Sequence, residues 1–213
     1  VVNVNDAPSG SVTISGTATE DQTLTAVTGT IADEDGLGSF SYQWSRAGSA
    51  VSGATSSTYA LTQADVGSVI TLTAAYTDGQ GTEESVSSVA TGSVVNVNDA
   101  PSGSVTISGT AVEDGVLTAA NTLLDEDVLG TISYTWSNGD IGATTTLGQT
   151  DVGSAITVTA TYTDGQGTSE SLSSAATGSV ANVNDAPSGS VTISGTAVED
   201  GVLTAANTLL DED

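Results

Sequence analysis

Ile70-Thr71-Leu72-Thr73-Ala74-Ala75-Tyr76-Thr77-Asp78-Gly79 is the stretch whose reading decides the fold. Ile70, Leu72, Ala74 and Tyr76 fall on alternate positions, the period of a strand with one buried face, and Asp78-Gly79 closes it with a turn signal. The run returns as Ile156-x-Val158-x-Ala160-x-Tyr162. Working outward, Val12 with Ile14, Leu24 with Ala26, and Phe40-x-Tyr42-x-Trp44 keep the same alternation. Asp35-Gly36, Ala47-Gly48 and Ser52-Gly53 add turn signals between them, and no segment has a helical period. About seven short strands in roughly 90 residues is the pattern of an antiparallel β-sandwich, so the chain is expected to be all-β. Trp44 and Trp136 alternate in phase with other aromatics, which favours inner core strands over a carbohydrate-stacking surface.

The pattern is repeated. Val2-Asn3-Val4-Asn5-Asp6-Ala7-Pro8 recurs as Val95-Asn96-Val97-Asn98-Asp99-Ala100-Pro101 and, with one substitution, as Ala181-Asn182-Val183-Asn184-Asp185-Ala186-Pro187. Asp6, Asp99 and Asp185 are 93 and 86 residues apart, a domain length and not a solenoid repeat. Each copy ends in a proline that cannot continue a ladder, and reads as a joint. It is short, not Gly-rich, and looks built to be stiffened. The division is then residues 1–93, residues 94–179, and a segment 180–213 that holds the first third of a third repeat. The expectation is a slice of a longer repetitive protein, a monomeric rod of end-to-end sandwiches whose partners are neighbouring repeats of the same chain. Segment 180–213 is expected to be disordered, or ordered only where the joint ties it down, because an isolated hairpin is marginal in water. The two full units differ mainly at a hairpin, residues 45–57 in one and the shorter 137–144 in the other. This is drift at an edge, or a place where units differ in ligand.

Composition narrows the function. Arg46 is the only basic residue against 26 Asp and Glu, for a net charge of −25. Nucleic acid and anionic lipid need Lys and Arg to replace counterions, so both are poor partners, and no nucleic acid is expected. No run of about 18 apolar residues is present, so no membrane insertion by a helix is expected. Without His or Cys the usual general base and thiol nucleophile are missing. Carboxylate pairs could serve a glycosidase, but here they recur with the repeat and gather at joints, so the chain does not read as an enzyme.

Trp44 on a third strand, Thr58-Tyr59-x-Leu61 followed by Asp65-x-Gly67, and a strand ending Tyr76-Thr77-Asp78-Gly79 resemble bacterial immunoglobulin-like repeats. The Asn-Asp-Ala-Pro joint resembles the linkers of cadherin-like domains. The combination is similar to the tandem extender repeats of giant bacterial RTX-type surface adhesins, over both full units and the last segment. That resemblance implies immunoglobulin-like or cadherin-like sandwiches in an extracellular, cell-surface protein of biofilm adhesion. The intersheet cysteine pair of antibody domains and the calcium-binding nonapeptide of the RTX secretion region are both absent.

On an immunoglobulin-like path, the turn after the second strand and the turn before the last lie at the same pole as the unit's own joint. These turns carry Asp33-Glu34-Asp35 and Asp78. The first turn, with Glu20, lies at the opposite pole beside the next joint. The expected ligand sets are therefore Asn5, Asp6, Asp33, Asp35 and Asp78 at the first joint, and Glu20, Asn98, Asp99, Asp125, Asp127 and Asp164 at the second. The third would have Glu113, Asn184, Asp185, Asp211 and Asp213. Two like charges about 4 Å apart cost about 1 kcal/mol in bulk water and about 4 at a protein surface, so such clusters need compensation. Calcium, with about six to eight oxygen ligands in an irregular cage, suits them better than magnesium. The bland alternative is that Asp-Gly pairs make turns and acidic runs are merely solvated. Asp33 and Asp35 are expected to point inward and Glu34 to face water. Asp65 and Asp151 read as turn caps, and Glu84 and Glu170 as solvated strand positions. The function expected is a spacer rigidified by Ca2+. A carbohydrate- or protein-binding adhesive module is the alternative, and it should have a concave pocket in one unit and not the other.

Overall fold

The computed structural model of the chain describes residues 4–212, so Asp213 of the expected third site lies outside the described residues. Two compact units are present, Val1–Asp99 and Ala100–Asp213. In the first, the alternating stretches become β1 (Thr13–Ser15), β2 (Thr23–Val27), β3 (Ser41–Arg46), β4 (Ser49–Ala50), β5 (Thr58–Ala60), β6 (Ile70–Thr77) and β7 (Glu83–Ser87). They pair in two antiparallel sheets, β1-β2-β5 and β4-β3-β6-β7. Burial along β6 follows the sequence alternation: Ile70, Leu72, Ala74 and Tyr76 face inward. They meet Leu24, Trp44, Leu61 and Val12 in one core. Trp44 is fully buried, and its indole N–H donates to the Ser56 carbonyl at 2.9 Å, so its polar edge is satisfied inside. Gly38 lies where the loop before β3 crosses the end of β6. A Cβ there would come within 2.1 Å of the Thr77 carbonyl oxygen, and Gly130 makes the same close approach to Thr163 in the second unit.

The second unit repeats the plan with β8 (Val105–Ser108), β9 (Val116–Asn121), β10 (Ser133–Trp136), β11 (Thr144–Thr146), β12 (Val158–Thr163) and β13 (Ser169–Ser173). Its sheets are β8-β9-β11 and β10-β12-β13. The six residues missing from its edge hairpin remove the counterpart of β4. In the first unit a tight turn at Ala47 and Gly48, both at positive φ, returns the polypeptide along β3. In the second, a single bridge from Thr135 to Ile141 remains.

Val94 and Val180 are each 2% exposed and sit in the cores of the sandwiches that precede them. The repeat spacing puts the boundary just before these valines. Burial puts it after them, because each closes the core beside the loop that ends in Gly67 or Gly153, whose N–H it accepts at 2.9 Å. No helix among the described residues is long and apolar enough to cross a membrane.

Beyond the third joint, β14 (Val191–Ser194) pairs with β15 (Thr204–Asn207) in a two-stranded sheet. The hairpin forms along its length, whereas the sequence predicts order only near the joint. It gains no core, however: Val191 and Leu203 are 65% and 52% exposed, whereas their counterparts Val105 and Leu117 are 5% and 0% exposed. Leu117→Ala should therefore lower stability by about 2–5 kcal/mol, and Leu203→Ala, in identical local sequence, should leave thermal unfolding nearly unchanged. Circular-dichroism melts of the two variants check this, and equal losses would contradict the exposed hairpin.

Candidate metal centre

Each sandwich fastens the segment that leaves it. Val94 N–H donates to Ser68 O, Val95 N–H to Ala18 O, and Glu20 N–H to Val95 O, all at 2.9 Å. Thr19 with Val95 and Val66 with Val94 are parallel bridges. The turn that makes this possible puts Asp21 at φ 61°, a left-handed conformation that Asp tolerates better than most residues. Glu20, 1% exposed, then accepts the Val97 N–H on Oε2 at 3.2 Å. Its carboxylate comes within 4.8 Å of that of Asp99. The second unit does the same: Glu113, 3% exposed, donates its N–H to Ala181 O at 2.9 Å and accepts Val183 N–H on Oε2 at 3.0 Å. Glu20 and Glu113 thus each clasp the joint through one carboxylate oxygen.

At the other pole the turns gather the acidic triplet. Asp35 N–H donates to Asp33 Oδ1 at 2.9 Å, and the Tyr76 hydroxyl donates to Asp33 Oδ2 at 2.5 Å. Both oxygens of Asp33 are therefore engaged by the protein. Burial, and then the Asp33 carboxylate, push the Tyr76 hydroxyl far above its ordinary pKa, so it remains a donor. Asp35 Oδ2 accepts the Asp6 N–H at 2.8 Å, and its carbonyl accepts Gly79 N–H at 2.9 Å, which joins the joint and both turns. Glu34 faces water, with Asp33 and Asp35 half-buried on either side. In the second unit Asp125 accepts the Asp127 N–H at 2.9 Å and the Tyr162 hydroxyl, and Asp127 is fully buried.

Asp78 is the residue that points to a cation. It is 6% exposed, and its Oδ1 accepts the N–H groups of Gln80 at 2.9 Å and Thr82 at 2.7 Å. The Thr82 amide above all, against the opposing effect of burial, holds its pKa below the ordinary carboxylate value, so it stays ionised. Its Oδ2 is buried without a partner, and Asp164 Oδ2 repeats this in the second unit. A recurring buried carboxylate oxygen with no donor is costly unless a cation meets it. The donor set beside it is all oxygen and hard, which fits calcium better than a soft or tetrahedral ion. Asp78 and Asp164, with Asp35 and Asp127 beside them, are the residues that would hold it. At the third joint, Asp185 and Asp211 line one open cleft of about 480 Å3. Asn98 and Asn184 donate to the carbonyls of Asp99 and Asp185, at 3.5 and 2.9 Å, a use of the amide within the joint itself.

Glu84 departs from the sequence reading. It is half-buried, not a solvated strand position, and accepts the Asn5 side-chain amide at 2.7 Å, so it holds the joint. The signal available was its recurrence as Glu170, in phase with Val86 and Leu172 on the inward face. Asp65 is a turn cap, as its place in the sequence implies: its Oδ2 accepts Thr62 N–H at 2.9 Å. It also pairs with Arg46 at 2.6 Å. Arg46 stands opposite Ile70 in the register, at the far end of β6 from Asp78. Asp151 caps its turn through Gly148 N–H at 3.0 Å.

A groove of about 420 Å3 in the second unit is lined by Ser137, Asn138, Asp151 and Ile156, and two others fall at equivalent places in the two units. One of about 400 Å3 on β10-β12-β13 is lined by Ser133, Thr161, Tyr162 and Ser171. A smaller one of about 270 Å3 lies at the equivalent place in the first unit, by Ser41, Ala75 and Tyr76.

No family model matches the chain, and no curated protein matches it. Among solved structures it is similar to a tetra-tandem repeat in the extending region of a large adhesion protein, with 21% identity over 97% of this chain and a TM-score of 0.32. The match spans 64% of that solved chain.

Glu20→Ala should leave the Val97 N–H without its acceptor and cost about 1–3 kcal/mol. Amide exchange at Val97 should accelerate accordingly, and unchanged protection would rule out the clasp. A second expectation concerns acid. Burial tends to raise the Asp65 pKa, but the Arg46 guanidinium, the Thr62 N–H and the Tyr59 hydroxyl outweigh it and hold the carboxyl below its ordinary value. A depressed folded pKa means this contribution is whole above the unfolded value of about 3.9 and is lost as pH falls through the folded value. Arg46→Ala should move the acid-unfolding midpoint of the first unit to higher pH, as read by Trp fluorescence.

Proposed function

We propose that the chain is a structural extender of a secreted or surface-anchored bacterial adhesin, rigidified by Ca2+ at its joints. The observation that carries this reading is the double fastening of the first sandwich. It holds Asn5 and Asp6 at one pole through Glu84 and Asp35, and Val94 to Val97 at the other through backbone pairing and Glu20. A repeat that grips the polypeptide on entry and on exit transmits direction from unit to unit, which is what a spacer needs. The resemblance of the joint and of the Trp44 and Asp78-Gly79 motifs to extender repeats supports the adhesin setting. Its partners are then neighbouring repeats at the cell surface.

Bound calcium would supply the positive charge that the poles lack, against Asp78 Oδ2 in one unit and Asp164 Oδ2 in the other. Main-chain N–H groups on the other oxygen hold both carboxylates in place before the ion arrives. A ligand-binding role is the second reading: one pair of grooves recurs in both units, while a groove of about 420 Å3 beside Asn138 and Asp151 lies in the second unit.

Titration calorimetry on the protein should find calcium sites near the roughly 10⁻⁴–10⁻³ M range of extracellular modules or tighter. At about 100 times the dissociation constant, calcium should add roughly 2.7 kcal/mol to stability. Asp78→Asn and Asp164→Asn should each remove a site, and small-angle scattering should report a stiffer, longer particle with calcium than with chelator. Absence of binding below about 10 mM, or binding indifferent to both substitutions, would leave the poles as turns alone.

A further inference from the structure

Arg46 and Asn138 occupy the same place in the two sandwiches, two residues beyond the core Trp. In the first unit the guanidinium answers Asp65 at 2.6 Å. In the second the position carries a neutral amide. Asn138 Nδ2 donates to Thr145 Oγ1 at 3.0 Å and to Asp151 Oδ2 at 3.4 Å. Thr145, itself 3% exposed, donates to Asp140 Oδ2 at 2.5 Å. Two carboxylates, Asp140 and Asp151, are thus bridged by one amide and one hydroxyl, where the first unit places its guanidinium.

Asn138 precedes Gly139 in the sequence's one Asn-Gly pair. Gly139 is exposed at φ +97°, and a Cβ built on it would meet nothing within 4 Å. Its nitrogen is therefore flanked by no bulk that would keep it from the Asn138 side chain. The fold opposes the encounter by hydrogen bonding: Gly139 N–H donates to Trp136 O at 3.0 Å, and Asn138 Oδ1 accepts the Asp140 N–H at 3.2 Å. With both ends of the amide and the attacking nitrogen engaged, the side chain is held out of the reactive geometry.

We propose that Asn138 is a site of spontaneous deamidation that the folded second unit restrains, and whose product breaks the network holding it. The Gly139 amide nitrogen gives up its proton and bonds to Asn138 Cγ, and the Asn138 Cγ–Nδ2 bond breaks as ammonia leaves with that proton. Solvent water then adds across one C–N bond of the resulting five-membered imide, leaving aspartate or isoaspartate. No electrons are transferred. The product has lost both Nδ2 hydrogen bonds and sets a third carboxylate beside Asp140 and Asp151, where like charges repel. The first unit, with Arg46 in this place, has no such route, so the two repeats age differently.

The test is peptide-mapping mass spectrometry of the full-length protein incubated in mild alkali, folded and in urea. The mass gain should map to the peptide containing Asn138 and should be slower in the folded protein by about tenfold or more, since reaction there requires local opening. Thr145→Val should raise the folded rate toward that in urea, and Asn138→Gln should abolish the signal. Asn138→Asp, made directly, should lower the melting temperature. Equal rates in the folded and unfolded protein, a mass gain that falls first on another Asn, or an unchanged melt for Asn138→Asp would each overturn the proposal. The folded-against-urea comparison needs only the unaltered protein, so it stands even if the Thr145 variant does not fold.

Discussion

Twenty-six carboxylates share one guanidinium in this protein, and the structure depends on how they are answered without it. The backbone does most of this. Glu20, Asp65, Asp78, Glu113, Asp127, Asp151 and Asp164 are all buried. The donors that meet Glu20, Asp65, Asp78, Glu113, Asp151 and Asp164 include main-chain N–H groups of turns or joints. Such hydrogen bonds to an ionised group contribute about 1.5–3 kcal/mol each, against a desolvation cost of the same order or greater if unmade. A turn that supplies N–H groups to a carboxylate is fixed by it, so the acidic residues order the poles of the sandwiches and do not simply repel.

From that constraint the joint follows. A segment with few apolar residues cannot be held by burial, apart from the valine at its start. It is held by carboxylates that capture its amides, with Asp35 on the Asp6 N–H and Glu20 on the Val97 N–H. Both captures use residues far away in sequence, so the joint keeps these bonds only while the sandwich is folded. The Asp78 oxygen left over at the same pole is where this scheme is incomplete.

Repetition is not uniform. Trp, Tyr, the turn Asp and the clasp Glu recur in both units, while the residue two beyond the Trp changes from Arg46 to Asn138. The same geometrical demand, a donor for the Asp that caps the turn before the long strand, is met by a charged donor at 2.6 Å in one unit and by a neutral one at 3.4 Å in the other. The shortened edge hairpin accompanies the change, and the fourth strand of that sheet goes with it. Both units keep the same core because the strands that build it carry the alternation themselves.

That alternation is local, which is why the strand set, the buried Trp pair, the turn caps at Asp65 and Asp151 and the inward Asp33 and Asp35 were legible in the sequence. Backbone pleat alone assigns sides to residues two apart. Contacts between distant residues were not legible. Glu20 was legible as a carboxylate beside a joint, but its capture of an amide 77 residues away depends on where the sandwich brings its own exit. Glu84 looked solvated, and its hold on Asn5 spans 79 residues. Residues 96–127 and 182–213 are identical in sequence. Leu117 in the first is fully buried and Leu203 in the second is 52% exposed. Sequence makes each of these stretches a hairpin with one apolar face. Only the presence of β10, β11 and β12 around the first turns that face into a core, because burial belongs to the surfaces that meet and not to the residue that carries one of them.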